Sequence, residues 1–220
     1  MPKDDVTSLI VIDDHPLFRR GVADLIAMEP QMELLGAAAS GEEGLELVLS
    51  LQPDMVLLDL NMHGMDGLAT LRAIKASESD SLVIMLTVSD NEEDVVAALQ
   101  DGADGYLLKD MEPEEILRQL AGVAQGHLAI SPRLTELLAR ALRHEAQPRS
   151  PAEARLTLRE NEILQLICTG KSNKLIARAL DITEGTVKVH VKNLLKKLRL
   201  RSRVEAAVWA IESEHTKSGQ

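Results

Sequence analysis

Five short apolar runs alternate with five amphipathic stretches over the first 125 residues, and this alternation restricts the fold more than any other feature. The runs are Ser8–Ile12, Met32–Ala38, Met55–Leu58, Leu82–Thr87 and Gly105–Leu108. They are too short for buried helices and apolar enough for strands covered on both faces. Between them, the segments near 16–28, 41–51, 65–77, 91–101 and 113–125 carry apolar residues at helical spacing. The pattern predicts an α/β fold, a five-stranded doubly wound parallel sheet whose right-handed crossovers put helices on both faces. Helix punctuation agrees. Pro16 and Pro113 stand at first helical positions. Ser40–Glu43 and Ser89–Glu92 have the capping-box spacing, and Gly102 stands where a helix stops.

The rest of the chain reads differently. Ser131-Pro132 begins a further helix to about Arg143, and residues 144–153, with two prolines and no apolar period, read as a linker. From the capping box Thr157–Glu160 onward the pattern is helical throughout. The expected layout is therefore a domain over 1–128, a linker with one helix over 129–155, and a small all-α domain over 156–220. Charge divides at the same place. Residues 1–154 hold 11 Lys and Arg against 28 Asp and Glu, net −17, whereas 155–220 hold 13 against 7, net +6. A basic end suits nucleic acid, and an acidic one alone is repelled by it. Phe18, Tyr106 and Trp209 are the three aromatics, which excludes a stacking platform for single strands. Cys168 is the one cysteine, so no internal disulfide forms. No apolar stretch approaches the ~20 residues of a membrane span, and no signal segment follows Met1, so a cytoplasmic location with no membrane contact is expected.

Several polar residues share one address in the expected sheet. Asp13 and Asp14 follow the first run, Asp59 the third and Lys109 the fifth, while Thr87 ends the fourth. These positions lie at the carboxyl ends of parallel strands, where ligands bind. Clustered carboxylates resist ionising together, and a divalent cation with few protein ligands, Mg²⁺ above all, relieves that. An Asp can then act as a nucleophile and become an aspartyl phosphate, with a Lys and a hydroxyl facing the phosphoryl oxygens. On this reading Asp59 is the nucleophile, Asp13 and Asp14 form the metal site with it, and Lys109 and Thr87 contact phosphate. Singly, each residue would be an ordinary cap, loop carboxylate or solvated lysine; together, in order at four strand ends, they point to a site. His63 in the following loop stands as a solvated histidine.

Residues 172–198 form a second constellation. Ser172–Leu180 and a stretch from Thr183 to about Leu198 read as two short helices joined by Asp181-Ile182-Thr183, with Thr183 as N-cap. On the second, Val187, Val191, Leu194, Leu195 and Leu198 form an apolar stripe, and Lys188, Lys192 and Lys196 recur every four residues on another face. A face of like charges suits phosphate contact.

Val11-Ile12-Asp13-Asp14-His15-Pro16, Leu57-Leu58-Asp59-Leu60-Asn61-Met62 and Tyr106-Leu107-Leu108-Lys109-Asp110 resemble the receiver domain of response regulators over about 7–125. The resemblance implies that Asp59 takes a phosphoryl group from a sensor histidine kinase. It also implies that the Asn61 carbonyl completes the Mg²⁺ site and that Thr87 and Tyr106 rearrange on phosphorylation. One departure is His63-Gly64 where the family has Pro-Gly. The run from Leu156-Thr157 through Asn173-Lys174-Leu175-Ile176-Ala177 and Thr186-Val187-Lys188-Val189 to Ser202-Arg203-Val204-Glu205 resembles the LuxR/NarL-type helix-turn-helix over about 156–210. That resemblance implies that Lys188, Val189 and Lys192 face the major groove of double-stranded promoter DNA, that Thr186 and Lys174 approach phosphates, and that a last helix near 203–212 pairs two copies as a homodimer. RNA polymerase is a further candidate partner. Both halves together are most similar to the nitrate- and nitrite-responsive branch of this type, which implies control of such genes by a signal that enters through the kinase. The opposite charges suit a resting state in which the acidic half covers the basic one until phosphorylation releases it.

Two other classes fit less well. A phosphohydrolase with an aspartyl nucleophile needs a second carboxylate two residues on, and Asp59-Leu60-Asn61 lacks it. A protein-only adaptor has no use for the lysine face. No phosphate-loop motif for an ATPase occurs.

Overall fold

In the computed structural model, the described residues are 6–77, 79, 81–88, 91–125 and 153–218. All five apolar runs are strands: β1 Thr7–Ile12, β2 Met32–Ala38, β3 Met55–Leu58, β4 Leu82–Thr87 and β5 Gly105–Leu108. They form one parallel sheet in the order β2-β1-β3-β4-β5. The core runs through the middle of it. Every residue of β3 is buried, as are Leu9–Ile12 of β1 and Val83–Thr87 of β4. The edge strand β2 is more open, with only Met32 and Ala38 buried. Strand order reverses between β1 and β3, so the crevice beyond their carboxyl ends is the topological switch point.

The helices of this half are α1 Pro16–Ala27, α2 Gly41–Leu51, α3 Gly67–Ala76, α4 Glu92–Gln100 and α5 Pro113–Gln125. Their punctuation follows the sequence with two differences. Ser40 Oγ accepts from Glu43 N at 3.3 Å as expected, but the Glu43 carboxylate returns to Ala39 N at 2.8 Å, one residue short of a capping box. On α4 the N-cap is Asn91, whose Oδ1 accepts from Glu93 N at 3.1 Å. An amide adjoining the first turn reaches the orphan N–H groups that a serine two residues earlier would have to span. Ser89 and Asp90 of the expected box lie outside the described residues. Gly102 ends α4 at φ +106°, a backbone setting that favours glycine. At the end of the sheet away from the switch point, Lys75 Nζ meets Asp104 Oδ2 at 2.5 Å, and that oxygen also accepts from Val83 N at 2.9 Å.

The chain divides into two compact units, Met1–Ala121 and Gly122–Gln220. The described part of the second is helical: α6 Leu158–Cys168, α7 Asn173–Leu180, α8 Glu184–Leu198 and α9 Arg203–Ser218. The Thr157–Glu160 capping box is complete, with Thr157 N donating to Glu160 Oε2 at 2.7 Å and Glu160 N to Thr157 Oγ1 at 3.2 Å. Ser172 caps α7 and Thr183 caps α8. Ile163, Ile167, Ile176, Val187, Leu194, Leu198 and Val204 form a fully buried aliphatic core. The last helix runs past the expected 212 to Ser218, since no proline or glycine interrupts residues 203–218. The expected helix near 131–143 and most of the expected linker lie outside the described residues. Among the described residues, no helix is long and apolar enough to cross a membrane.

Candidate functional site

Each functional residue at the strand ends is held by one more rung of the parallel ladder. Asp13 N donates to Ala38 O of β2 at 3.1 Å, Asp59 N to Ile12 O of β1 at 2.9 Å, and Lys109 N to Thr87 O of β4 at 2.8 Å. The rungs aim three side chains at one point. Lys109 Nζ lies 2.6 Å from Asp13 Oδ2 and 2.9 Å from Asp59 Oδ2, with all three side chains at least nine-tenths buried. The same ammonium sits 4.6 Å from the centroid of the Phe18 ring on α1. A carboxylate pair and an aromatic face thus surround one cation in a setting with little water.

Burial is the main influence on Asp59 and pushes its carboxyl above the ordinary carboxylate range. Lys109 opposes that shift, and the nearby charge of Asp13 adds to it. Two buried oxygens, Asp14 Oδ1 and Asp59 Oδ2, have no aligned hydrogen-bond donor. Asp59 Oδ2 is therefore served by Lys109 as an ion pair without the directionality of a hydrogen bond. Ligand atoms of Asp13, Asp14, His15 and Asp59 all lie within 4.8 Å of one another. Orphaned oxygens in a compact, mostly oxygen donor set fit a hard divalent cation.

The loop after β3 closes the pocket. Gly67 N donates to Leu60 O at 2.9 Å, and a Cβ on Gly67 would meet Asp59 O at 2.2 Å, so only glycine lets α3 start this close to the loop. His63 is fully exposed, yet its backbone N–H and ring Nδ1 both reach Asp14 Oδ2, at 3.1 and 2.7 Å. The solvated loop histidine thus also braces an acidic side chain. That hydrogen bond is the largest influence on Asp14 and holds its carboxyl below the ordinary range. On the opposite side, His15 Nδ1 is 2.9 Å from Asp14 Oδ1.

The sequence-derived residues are placed as follows. Asp13, Asp59 and Lys109 converge directly, and Asp14 joins through His15 and His63. Thr87 ends β4 fully buried, next to Leu108 in the ladder. Asn61 lies exposed in the loop, and Tyr106 is buried on β5 opposite Met85. His15, Phe18 and Gly67 are contributors that the sequence reading left out. His15 could have been found from the Asp13-Asp14-His15 run, and Phe18 from being the single aromatic on the first helix.

In the second unit, Lys188, Val189, Lys192 and Lys196 are all exposed along α8, and Val189 keeps 59% of its surface open despite being apolar. Thr186 is exposed in the first turn, where Thr183 Oγ1 lies 2.9 Å from its hydroxyl. Lys174 is half-buried in the first turn of α7. Of the expected stripe, Val187, Leu194 and Leu198 are buried, while Val191 and Leu195 are half-buried. Lys197 turns away from the lysine face to pair with Glu160 at 2.6 Å. Glu160 is raised by burial, but the hydrogen bonds from Lys197 and Thr157 outweigh this and hold it below its ordinary value.

Residues 9–121 match the response regulator receiver domain, and residues 154–210 match the bacterial regulatory proteins of the luxR family. The chain belongs to the response regulators that join a receiver domain to a LuxR-type DNA-binding domain, the transcription-regulating members of two-component systems. It is 51% identical to the nitrate/nitrite response regulator protein NarL of Escherichia coli K12, over 95% of this chain and 97% of that one. It is 43% identical to the nitrate/nitrite response regulator protein NarP of the same strain, over 94% and 96% respectively. Among solved structures, the signal receiver domain of a NarL response regulator from Mycobacterium tuberculosis matches with a TM-score of 0.54 and 36% identity, over 56% of this chain and 99% of that one.

Proposed function

We propose that this response regulator accepts a phosphoryl group on Asp59 from a sensor histidine kinase, and that phosphorylation frees its C-terminal domain to dimerise on promoter DNA and regulate nitrate- and nitrite-responsive genes. The observation that carries the reading is Lys109 Nζ held between the buried carboxylates of Asp13 and Asp59 at the switch point of the sheet. A carboxylate this buried attacks the phosphorus of a phosphohistidine, forming an acyl phosphate as the P–N bond breaks and the imidazole takes up a proton. Lys109 moves with the charge, from the carboxylate to the phosphoryl oxygens, and Thr87 offers its hydroxyl to them. Asp13, Asp14, Asp59 and the Asn61 carbonyl would hold Mg²⁺. A bound Mg²⁺ supplies neutralisation of the incoming phosphoryl charge.

Thr87 and Tyr106 report the event by rearranging in the buried ends of β4 and β5. Residues 1–128 then form the receiver, 129–155 the linker and 156–220 the DNA-binding domain. On α8, Lys188, Val189 and Lys192 read the major groove, and Thr186, Lys174 and Lys196 contact phosphates. On this reading two copies pair through α9. RNA polymerase is a further partner on this reading, and the cytoplasm the place of action.

The test is phosphorylation by acetyl phosphate with Mg²⁺, read by intact-protein mass. One phosphoryl group on the wild type and none on Asp59→Asn is the expected result. Equal labelling of the variant would move the acceptor elsewhere.

A further inference from the structure

The described acidic pocket contains a nitrogen that the oxygen-only reading does not use. His15 Nδ1 lies 2.9 Å from Asp14 Oδ1, 3.3 Å from Asp13 Oδ1 and 3.9 Å from Asp59 Oδ2. In an octahedral shell with bonds of about 2.1 Å, neighbouring ligand atoms are about 3.0 Å apart and opposite ones about 4.2 Å. The three distances fall within or at the edge of that range, so the imidazole nitrogen stands where a ligand atom would stand, with the carboxylate oxygens as its neighbours.

A second observation is independent of this spacing. The two buried oxygens without an aligned donor, Asp14 Oδ1 and Asp59 Oδ2, are among those His15 Nδ1 approaches, and the Asp59 side chain is only 2% exposed. Three of the other oxygens are committed. Asp14 Oδ2 is taken by His63, Asp13 Oδ2 by Lys109, and Asp13 Oδ1 by the backbone N–H of His15 at 2.8 Å. That last bond anchors the His15 backbone to the pocket, while the ring is 67% exposed and open to an arriving ion.

We infer that His15 Nδ1 is a further ligand of this pocket, which makes it a mixed nitrogen–oxygen site that takes first-row transition divalent ions ahead of Mg²⁺. Imidazole suits Fe²⁺, Ni²⁺, Cu²⁺ and Zn²⁺, whereas Mg²⁺ favours an all-oxygen shell and keeps its waters. The inference rests on the reading of Asp13, Asp14 and Asp59 as a cation site. It adds one residue to the site and a preference among ions.

The experiment loads the full chain with one equivalent of Mn²⁺ and records electron spin-echo modulation from directly bound ¹⁴N, in the wild type, His15→Gln and His63→Pro. The expected result is a ¹⁴N coupling in the wild type and in His63→Pro that is absent from His15→Gln. With it comes a loss of about tenfold in Mn²⁺ affinity for His15→Gln, on the scale of a lost site interaction, and a much smaller change for Mg²⁺. Mn²⁺ bound without ¹⁴N coupling overturns the inference and makes His15 an ion-pairing cation only. Coupling that survives in His15→Gln also overturns it. No Mn²⁺ bound at all overturns the cation site itself, a failure distinct from the other two.

Discussion

Lys109 and Lys188 are lysines with opposite surroundings. The Lys109 side chain is 8% exposed and lies within 3 Å of two carboxylates and over an aromatic ring, whereas Lys188 stands on the open face of a helix with Lys192 and Lys196 near it. The first unit buries its functional charges and must balance them internally. The second displays lysines on its surface. Buried charge is costly unless paired, so the receiver site is coupled to stability and to anything that alters its charge. Exposed charge is cheap, so the lysine face can be tuned for affinity with little effect on the fold. The proposed phosphorylation draws on the first kind of site and the proposed DNA contact on the second.

This contrast can be broken by substitution, and the effects on stability should descend in order. Lys109→Met leaves two buried carboxylates without their cation and should cost about 3 kcal/mol in metal-free buffer. Added Mg²⁺ should recover part of that loss in thermal melts, and an unchanged melt would place the balance of the site elsewhere. Gly67→Ala drives a methyl group against the Asp59 carbonyl and should cost about 1–3 kcal/mol while slowing phosphorylation by acetyl phosphate. If its rate of labelling matched the wild type, the loop would not need this close approach.

Smaller effects belong to the second unit. Glu160→Gln removes the charge that pairs with Lys197 while keeping a side-chain oxygen for Thr157 N, and should cost about 1 kcal/mol at neutral pH. Because Glu160 is held below its ordinary value of 4.5, its contribution is full above that pH and lost as pH falls through the lower folded value. The gap between the melts of wild type and variant fragments 151–220 should therefore close only below about pH 4.5. Smallest in stability are Lys188→Ala and Lys192→Ala, each within about 0.5 kcal/mol. Their effect lies in DNA binding. Each should weaken affinity, and a lysine that neutralises one phosphate should flatten the salt dependence by about 0.9 in the log–log slope.

The sheet was legible because strands buried on both faces leave uninterrupted apolar runs, and a parallel sheet fixes which end of each run faces the crevice. Asp13, Asp59 and Lys109 follow from that rule alone. His15, Phe18 and Gly67 do not, since their part depends on the direction in which α1 leaves the crevice and on how the loop after β3 folds back. His63 looked like loop surface because its exposure is complete, and its bond to Asp14 spans 49 positions. In the second unit Thr183 and Ser172 were readable as caps from local chemistry. Lys197 was not readable as a strut, because the helical period separates it from Lys196 by one step while its partner Glu160 lies on another helix.

The central claim is that a charge change in the buried site governs binding by the exposed one. The most direct measurement is a gel shift on duplex DNA that carries two inverted half-sites one helical turn apart. It compares the full chain with fragment 151–220, each with and without acetyl phosphate and Mg²⁺. The account predicts that the fragment binds in every condition and that the full chain binds only after phosphorylation. A full chain that binds equally with and without phosphodonor would contradict it.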